Sequence, residues 1–128
     1  MAEKLEIRVD HRQIEGLQDG SIPVNDFLNQ LFMDQHTHAA MCLALKEYHR
    51  NDGGSPEVDT FEAVNAFYDA EKLSGKFRCV FQVNYHYTCS DVRNKAMDTI
   101  DWNFKVDQHL YQLLLTGEET LERDFNEF

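Results

Sequence analysis

The sequence predicts one α+β domain over residues 1–128, in which an antiparallel sheet of at least three strands packs its aromatic face against helices. Two stretches of alternating apolar and polar residues, 77–89 and 96–106, indicate long strands. Apolar residues at intervals of three and four between residues 23 and 49 indicate helix. A chain of 128 residues that is 42% hydrophobic has enough apolar surface for one core and too little for two domains.

The N-terminal residues predict a short strand followed by turns. Apolar and charged side chains alternate over residues 5–9, which is the pattern of a half-buried strand. The alternation then stops, and Gly16, Gly20 and Ser21 are typical of turns. We therefore expect an irregular connection over residues 11–22.

Two apolar stripes with helical spacing follow Pro23, whose fixed φ angle suits the start of a helix. The first stripe runs to Phe32, and the second runs from Thr37 to His49. No glycine or proline separates them, so we expect one helix or a slightly kinked pair over residues 23–49, the alternative being a break near residues 34–37. The apolar positions are Val24, Phe27, Leu28, Leu31, Phe32, Ala39, Cys42, Leu45 and Tyr48.

Residues 51–56 are rich in Gly, Asn, Asp and Pro and predict an exposed loop. Beyond this loop, Asp59 and Glu62 have the spacing of a capping box, which predicts that a helix begins there. The apolar residues that follow have a spacing compatible with a helix over residues 59–73, ended by Ser74 and Gly75. These apolar residues are Phe61, Val64, Phe67 and Tyr68.

The two long strands predict a pairing register. Apolar residues are at odd positions in the first strand and at even positions in the second, so paired residue numbers must add up to an odd value if both strands bury one face. A connection at residues 91–94 pairs Phe81 with Phe104 and Tyr87 with Asp98. The same register pairs Val83 with Trp102, Tyr85 with Ile100, His86 with Thr99 and Asn84 with Asp101.

Two short helices are expected after the second long strand. Asp107 is positioned to cap the first of them, and residues 116–119 have the spacing of a capping box for the second. The apolar residues of the two helices would be Leu110, Leu113 and Leu114, and then Leu121, Phe125 and Phe128.

The charge balance excludes several classes of partner. Twelve Lys and Arg against 23 Asp and Glu leave a formal net charge of −11, which disfavours nucleic acid and anionic membrane surfaces. No apolar stretch is long enough for a membrane-spanning helix. Three cysteines are an odd number without a C-x-x-C pair, so we expect neither a disulfide framework nor a thiolate zinc site, and a cytoplasmic location.

Asp98 and Tyr87 are the candidate catalytic residues. In the expected register Asp98 is the lone carboxylate on an aromatic face, where burial would raise its pKa into the range of a general acid or base. The simpler interpretation is that an inward charge near a strand end discourages edge pairing, with the Tyr87 hydroxyl as its hydrogen-bond donor. No nucleotide-binding loop or hydrolase elbow occurs, and the three cysteines lie on apolar stripes, as small buried side chains do.

Asp34, His36 and His38 are the candidate metal ligands, because imidazole and carboxylate are common ligands of transition metals. In an extended segment the three would share one face, whereas on a helix Asp34 and His38 would share a face with Cys42. Neither arrangement matches a specific zinc pattern. We therefore favour polar residues on a helix surface and expect no metal or cofactor.

Acidic residues concentrate in two segments that contain almost no basic residue, and they are the candidate partner-binding residues. On one surface they would attract a basic partner and accelerate its association. As separate solvated helix faces they would only keep the protein soluble. The residues are Glu57, Asp59, Glu62, Asp69, Glu71, Glu118, Glu119 and Glu122.

Size, acidity and the lack of catalytic motifs favour a small non-enzymatic interaction protein: an inhibitor, an immunity-type protein or an adaptor that presents acidic helices to a basic protein partner. The alternative is a small-molecule-binding domain or enzyme with a pocket between sheet and helices. A third option is a homo-oligomer formed through Trp102, Tyr85 and neighbouring aromatics, if the helices leave part of the sheet uncovered.

Overall fold

The computed structural model describes residues 2–52, 54–87 and 92–119 and has helices packed on one face of a five-stranded antiparallel sheet. The predicted α+β class is confirmed. The strand order is β1-β5-β4-β3-β2, so the first and second strands form the two edges. The elements are β1 (Lys4–Arg8), α1 (His11–Asp19), α2 (Val24–Phe32), α3 (Gln35–Glu47), β2 (Phe61–Asp69), β3 (Ser74–Tyr87), β4 (Val92–Asp107) and β5 (Gln112–Gly117).

The core lies between the helices and the apolar face of the sheet, which we call the inner face. Each strand turns alternate side chains toward it, as the pleat requires. Trp102, Phe104 and Phe81 of the sheet are almost completely buried there against Phe27 and Leu45 of the helices. Each such side chain contributes about 1.5–3 kcal/mol of apolar burial. Trp102 is fully covered and Tyr85 packs against the core, so both aromatic side chains belong to the covered face of the sheet.

The irregular connection expected over residues 11–22 is wrong, because residues 11–19 form α1. Asp10 caps this helix in a capping box with Gln13, and Gly20 ends it in the left-handed conformation at φ 81°. A side chain at position 16 would collide with Ile22, so glycine at this position lets α1 pack closely against Ile22. The glycines that predicted turns therefore provide close packing and a helix end.

The helix expected over residues 23–49 is two helices, α2 and α3, and not one helix or a slightly kinked pair. Asp34 is extended, with φ −68° and ψ 128°, and separates them. Its carboxylate accepts hydrogen bonds from the backbone N–H and the hydroxyl of Thr37, both at 3.0 Å. A side-chain cap therefore provides the break that the absence of glycine and proline argued against.

The helix expected over residues 59–73 is wrong, because most of this segment is the edge strand β2. Its register with β3 shifts between Val64 and Phe67, and Asn65 there has a φ of 53°. This β-bulge moves the inward-facing positions from odd to even residue numbers. The bulge therefore spaces the apolar residues as in a helix, and Asp59 accepts a hydrogen bond from Asn84 instead of capping one.

The strands predicted at residues 5–9, 77–89 and 96–106 are present as β1, β3 and β4, although Cys89 lies outside the described residues. The prediction that paired residue numbers in the two long strands add up to an odd value is confirmed for β3 and β4. The register itself is wrong, since Phe81 pairs with Asp98 and Tyr87 with Val92. The other mispaired residues face different partners: Val83 faces Ala96, Tyr85 faces Asn94, His86 faces Arg93, Asn84 faces Lys95, Cys79 faces Ile100, Phe77 faces Trp102, Gly75 faces Phe104, Val80 faces Thr99 and Arg78 faces Asp101.

The helix expected after Asp107 is wrong, because a turn and the strand β5 take its place. The Asp107 carboxylate accepts hydrogen bonds from the backbone N–H groups of His109 and Leu110, so it closes a turn. Leu113 is buried in the new strand. The second expected helix, with Leu121, Phe125 and Phe128, lies outside the described residues, and Thr116 and Gly117 belong to β5. Within residues 2–52, 54–87 and 92–119, no helix has both the length and the apolar character to cross a membrane.

Candidate functional site

Four polar side chains meet where the end of α3 reaches the inner face of the sheet, and we call them the His49 cluster. The His49 imidazole lies between two carboxylates, with Nε2 2.8 Å from an oxygen of Asp98 and Nδ1 2.7 Å from an oxygen of Asp52. The Tyr85 hydroxyl donates to the same oxygen of Asp52, also at 2.7 Å. Only 9% of His49 is exposed. The cluster therefore ties α3 to β3 and β4.

The local sequence explains why these groups meet. Cys42, Leu45 and His49 follow one another at intervals of three and four, so the imidazole continues the apolar stripe of α3 toward the sheet. Its ring packs edge-on against Phe81 at a centroid distance of 6.0 Å. Asp98 faces Phe81 across the β3–β4 pair. The inward carboxylate and the inward histidine consequently neutralise each other.

The geometry favours the protonated imidazole. The hydrogen bond to Asp98 raises the pKa of His49 most, burial opposes the rise, and the bond to Asp52 adds to it. Both ring nitrogens then donate, and neither is available to accept a proton from a substrate. The cluster can therefore hold elements together and respond to pH, whereas general-base catalysis would need a free nitrogen.

The structure places the two candidate catalytic residues apart. Asp98 is on the inner face, as expected, where its carboxylate meets His49, and in the sheet register it lies opposite Phe81 and not opposite Tyr87. Tyr87 ends β3 opposite Val92. Sequence reasoning missed His49 as the partner of Asp98, although a signal existed: these are ionisable groups of opposite sign on two stripes that both face the core.

The candidate metal ligands have separate roles. Asp34 caps α3, and its hydrogen bonds from Thr37 lower its pKa. His38 stacks on Phe61, with ring centroids 4.9 Å apart, and its Nδ1 lies 3.8 Å from the Cys42 sulfur, whereas the side chain of His36 is exposed. In the described part of the chain no three His, Cys, Asp or Glu side chains are grouped so that they could hold a metal ion.

The first acidic segment runs along the β2 edge of the sheet, and we call its carboxylates the acidic edge: Glu57, Asp59, Glu62, Asp69 and Glu71. Residue 57 pairs with Asn84 before β2 begins, and β2 then pairs with β3 as far as Ser74, so the segment runs alongside β3. Glu57 also forms an ion pair with Lys46 at 3.1 Å. Asp69 accepts hydrogen bonds from the backbone of the turn after β2, and Glu62 and Glu71 are exposed.

An aromatic ring stands exposed within the acidic edge. Phe67 is 55% exposed, and it lies opposite Lys76 on the sheet face away from the core, which we call the outer face. Exposed single apolar residues are common, but aromatic rings bordered by charge are typical centres of protein interfaces. The helix predicted over residues 59–73 includes Phe67 among its apolar residues, and the bulge is the reason that Phe67 points outward on the strand.

The described residues of the second acidic segment, Glu118 and Glu119, follow β5, which is separated from β2 by β4 and β3. A carboxylate oxygen of Glu118 accepts a hydrogen bond from the backbone N–H of Asp101 at 2.8 Å, and its carbonyl accepts one from the Tyr48 hydroxyl at 2.7 Å. Arg78 on β3 pairs with Asp101 on β4, between the two segments. Glu119 is exposed, and Glu122 lies outside the described residues. The acidic edge is therefore separate from the described residues of the second acidic segment.

Comparisons with protein-family models, with curated proteins and with solved structures found no match for this chain.

Proposed function

We propose that the protein is a non-enzymatic interaction module that binds a basic protein partner through its acidic edge. The observation that carries this proposal is the exposed ring of Phe67 among the carboxylates of an edge strand. An aromatic side chain that a partner can cover is a common centre of a binding interface, and polar or charged residues form its rim. Inhibitors, immunity-type proteins and adaptors are the classes that fit.

Charge supports the same proposal. Residues 57–71 contain five Asp and Glu and no Lys, Arg or His, within a chain of net charge −11. Such a field would steer a basic surface toward this edge and would weaken as salt screens it. Glu62 and Asp69 lie on β2, and the other carboxylates of the acidic edge flank this strand, so the partner would meet a sheet edge. A cytoplasmic location belongs to this proposal, because Cys42 and Cys79 are free thiols.

The test is affinity capture from extracts of the protein's own host, with quantification by mass spectrometry at low and at physiological salt. We expect a basic protein whose capture by the wild type falls with salt. Phe67→Ala should weaken its binding about 30-fold, corresponding to the roughly 2 kcal/mol of a hot-spot side chain. The double variant Glu62→Gln/Glu71→Gln should lower the association rate and the salt dependence.

Two matched variants serve as controls. Leu110→Ala removes an apolar side chain that is 64% exposed in the turn before β5, and Glu15→Gln removes an exposed carboxylate from α1. Both should bind as the wild type does. Partners that are retained equally by Phe67→Ala and by the double variant would contradict the proposal.

A further inference from the structure

The opposite edge of the sheet has hydrogen-bonding groups that point away from the molecule. The N–H of Val9 donates to the carbonyl of Tyr111, and the N–H of Gly117 donates to the carbonyl of Glu3, both at 2.8 Å. The backbone N–H and C=O groups of the odd-numbered residues therefore point toward β5. Those of Glu6 and Arg8 point outward, because the direction alternates along an antiparallel ladder. In the sheet formed by the described residues, β1 pairs with β5 alone.

A groove runs beside this edge. It has a volume of about 610 Å³, with β1 on one side and residues of α2 and α3, among them Leu31, Thr37 and Ala40, on the other. The partly buried Leu5 also lines it. Space is therefore open next to the outward-facing backbone of β1.

The side chains of β1 and its flank have alternating charges. Lys4, Glu6, Arg8 and Asp10 are all exposed and read positive, negative, positive, negative. Within the described ranges no ion pair involves Lys4, Glu6 or Arg8. Edge strands with accessible backbone groups are templates for pairing unless something blocks them. The order of these charges therefore determines which added strand can pair with β1 so that opposite charges face each other.

We infer that β1 binds β1 of a second copy, antiparallel and related by a two-fold axis at Ile7. This alignment places Glu6 of each copy opposite Arg8 of the other, and Lys4 of each opposite Asp10 of the other. Because paired numbers add up to 14, even residues meet even residues, and the outward-facing backbone groups of Glu6 and Arg8 bond each other. A one-residue slip would oppose even and odd positions and lose both matches.

The result is a sheet of ten strands that continues across two copies. On its inner side Leu5 of one copy lies beside Val9 of the other, which extends the apolar face across the axis. The interface is isologous, so it closes at two copies and forms no filament. The acidic edge at β2 is the other border of the sheet, and this inference does not depend on the proposed function.

Charge reversal tests the inference by sedimentation over a concentration series. We expect wild-type dimers, and single variants Glu6→Arg and Arg8→Glu that dissociate at least about tenfold more readily, since like charges then oppose each other twice. The swap Glu6→Arg/Arg8→Glu restores opposite charges at both pairs and should restore the dimer. An equimolar mixture of the two single variants should form heterodimers, because every reversed residue then faces its opposite.

Reversals elsewhere are the matched controls: Glu15→Arg on α1 and Lys95→Glu on β4 should leave the dimer unchanged. Retained circular dichroism and the heterodimer of the mixture show that each single variant is folded. A wild-type chain that stays monomeric throughout the series would overturn the inference, even if an extended peptide from another protein bound the groove. A dimer that tolerates both single reversals, or that the swap fails to restore, would overturn it as well.

Discussion

The imidazole of His49 can link α3 to the sheet because, when it is protonated, both of its ring nitrogens donate to carboxylates. Each N–H faces a carboxylate oxygen at less than 3 Å, and little of the side chain is in contact with water. Loss of one proton would direct a lone pair at a carboxylate in a poorly solvated place, which costs more than the loss of a hydrogen bond in water. The link between His49 and the two carboxylates is therefore sensitive to pH.

His49 should make the stability depend on pH with a defined sign. Its folded-state pKa is raised above the ordinary 6.5, so its contribution is complete below pH 6.5 and is lost as the pH rises through the folded-state pKa. We expect His49→Gln to lower the free energy of unfolding by about 2 kcal/mol below pH 6.5. The difference from the wild type should shrink above that window, as measured by urea denaturation over a pH series.

His109→Gln is the control for this pH series, because the side chain of His109 is exposed in the turn before β5. Its stability curve should follow that of the wild type. Parallel curves for the wild type and His49→Gln would contradict a protonated link between α3 and the sheet.

The sequence predicted half of the His49 cluster. The alternation of apolar and polar residues along the strand predicts that Asp98 lies on the inner face, and this prediction is correct. The sequence indicates that His49 and Asp98 both face the core, but their contact also depends on the register of β3 and β4 and on where the end of α3 lies above them. Local pattern determines which face a side chain occupies, whereas tertiary packing determines which residue it meets.

Among the elements, β2 shows how a bulge can imitate a helix. A strand turns every second residue inward, but one inserted residue at Asn65 changes the parity halfway along. The resulting spacing, together with an Asp and a Glu three residues apart, satisfies the rules for a capped helix. Burial of alternate side chains against α2 outweighs that local preference, because most secondary structure is stabilised by packing.

The bulge can be tested at Asn65. Asn tolerates a positive φ and a β-branched residue does not, so Asn65→Val should lower the free energy of unfolding by about 1–2 kcal/mol. Asn65→Gly should be neutral or slightly stabilising, since glycine adopts this conformation without strain. Chemical denaturation of both variants measures the difference.

Glu62→Val is the matched control, because it introduces the same side chain at an exposed position of the same strand, before the bulge. It should cost little, since β-branched residues suit strands. If Val is tolerated equally at both positions, Asn65 does not have a left-handed backbone.

At the scale of the whole molecule, the sequence predicted the layers and the parity of the sheet but not its register. Shifting β4 along β3 by two residues keeps the same side chains on the inner face, so the alternating pattern alone cannot choose between such registers. The choice depends on packing of the complete core. Gly75 shows the kind of detail that decides it: a side chain there would collide with the ring of Phe104, which the glycine accommodates. The sequence does not predict α1 because Gly16 and Gly20 are typical of turns, and it does not predict β5 because Asp107 has the position of a helix cap.

Burial of the cysteines makes thiol reactivity a measure of opening of the whole fold. Burial raises the pKa of Cys42 to about 11 and raises that of Cys79 further, and Cys79 has no exposed surface. In a Cys89→Ser background we expect both thiols to react with an aromatic disulfide reagent at least about 100-fold more slowly than in denaturant. Cys79 should be the slower of the two.

Single variants at Cys42 and Cys79 in the same background assign each rate to one thiol. A native-state reaction of Cys79 as fast as that of the denatured chain would contradict its place in the core.

The pairing of β1 with β5 has a consequence for biosynthesis. β1 and the three helices leave the ribosome before any of the strands that bury them, whereas β2, β3 and β4 pair with neighbours in the chain. A nascent chain would therefore carry the apolar faces of α2 and α3 uncovered until the meander has emerged, and β1 would wait for β5, from the far end of the described chain. Pairing of β1 with β5 would complete the sheet, and a chaperone would find its binding sites in the helices synthesised first.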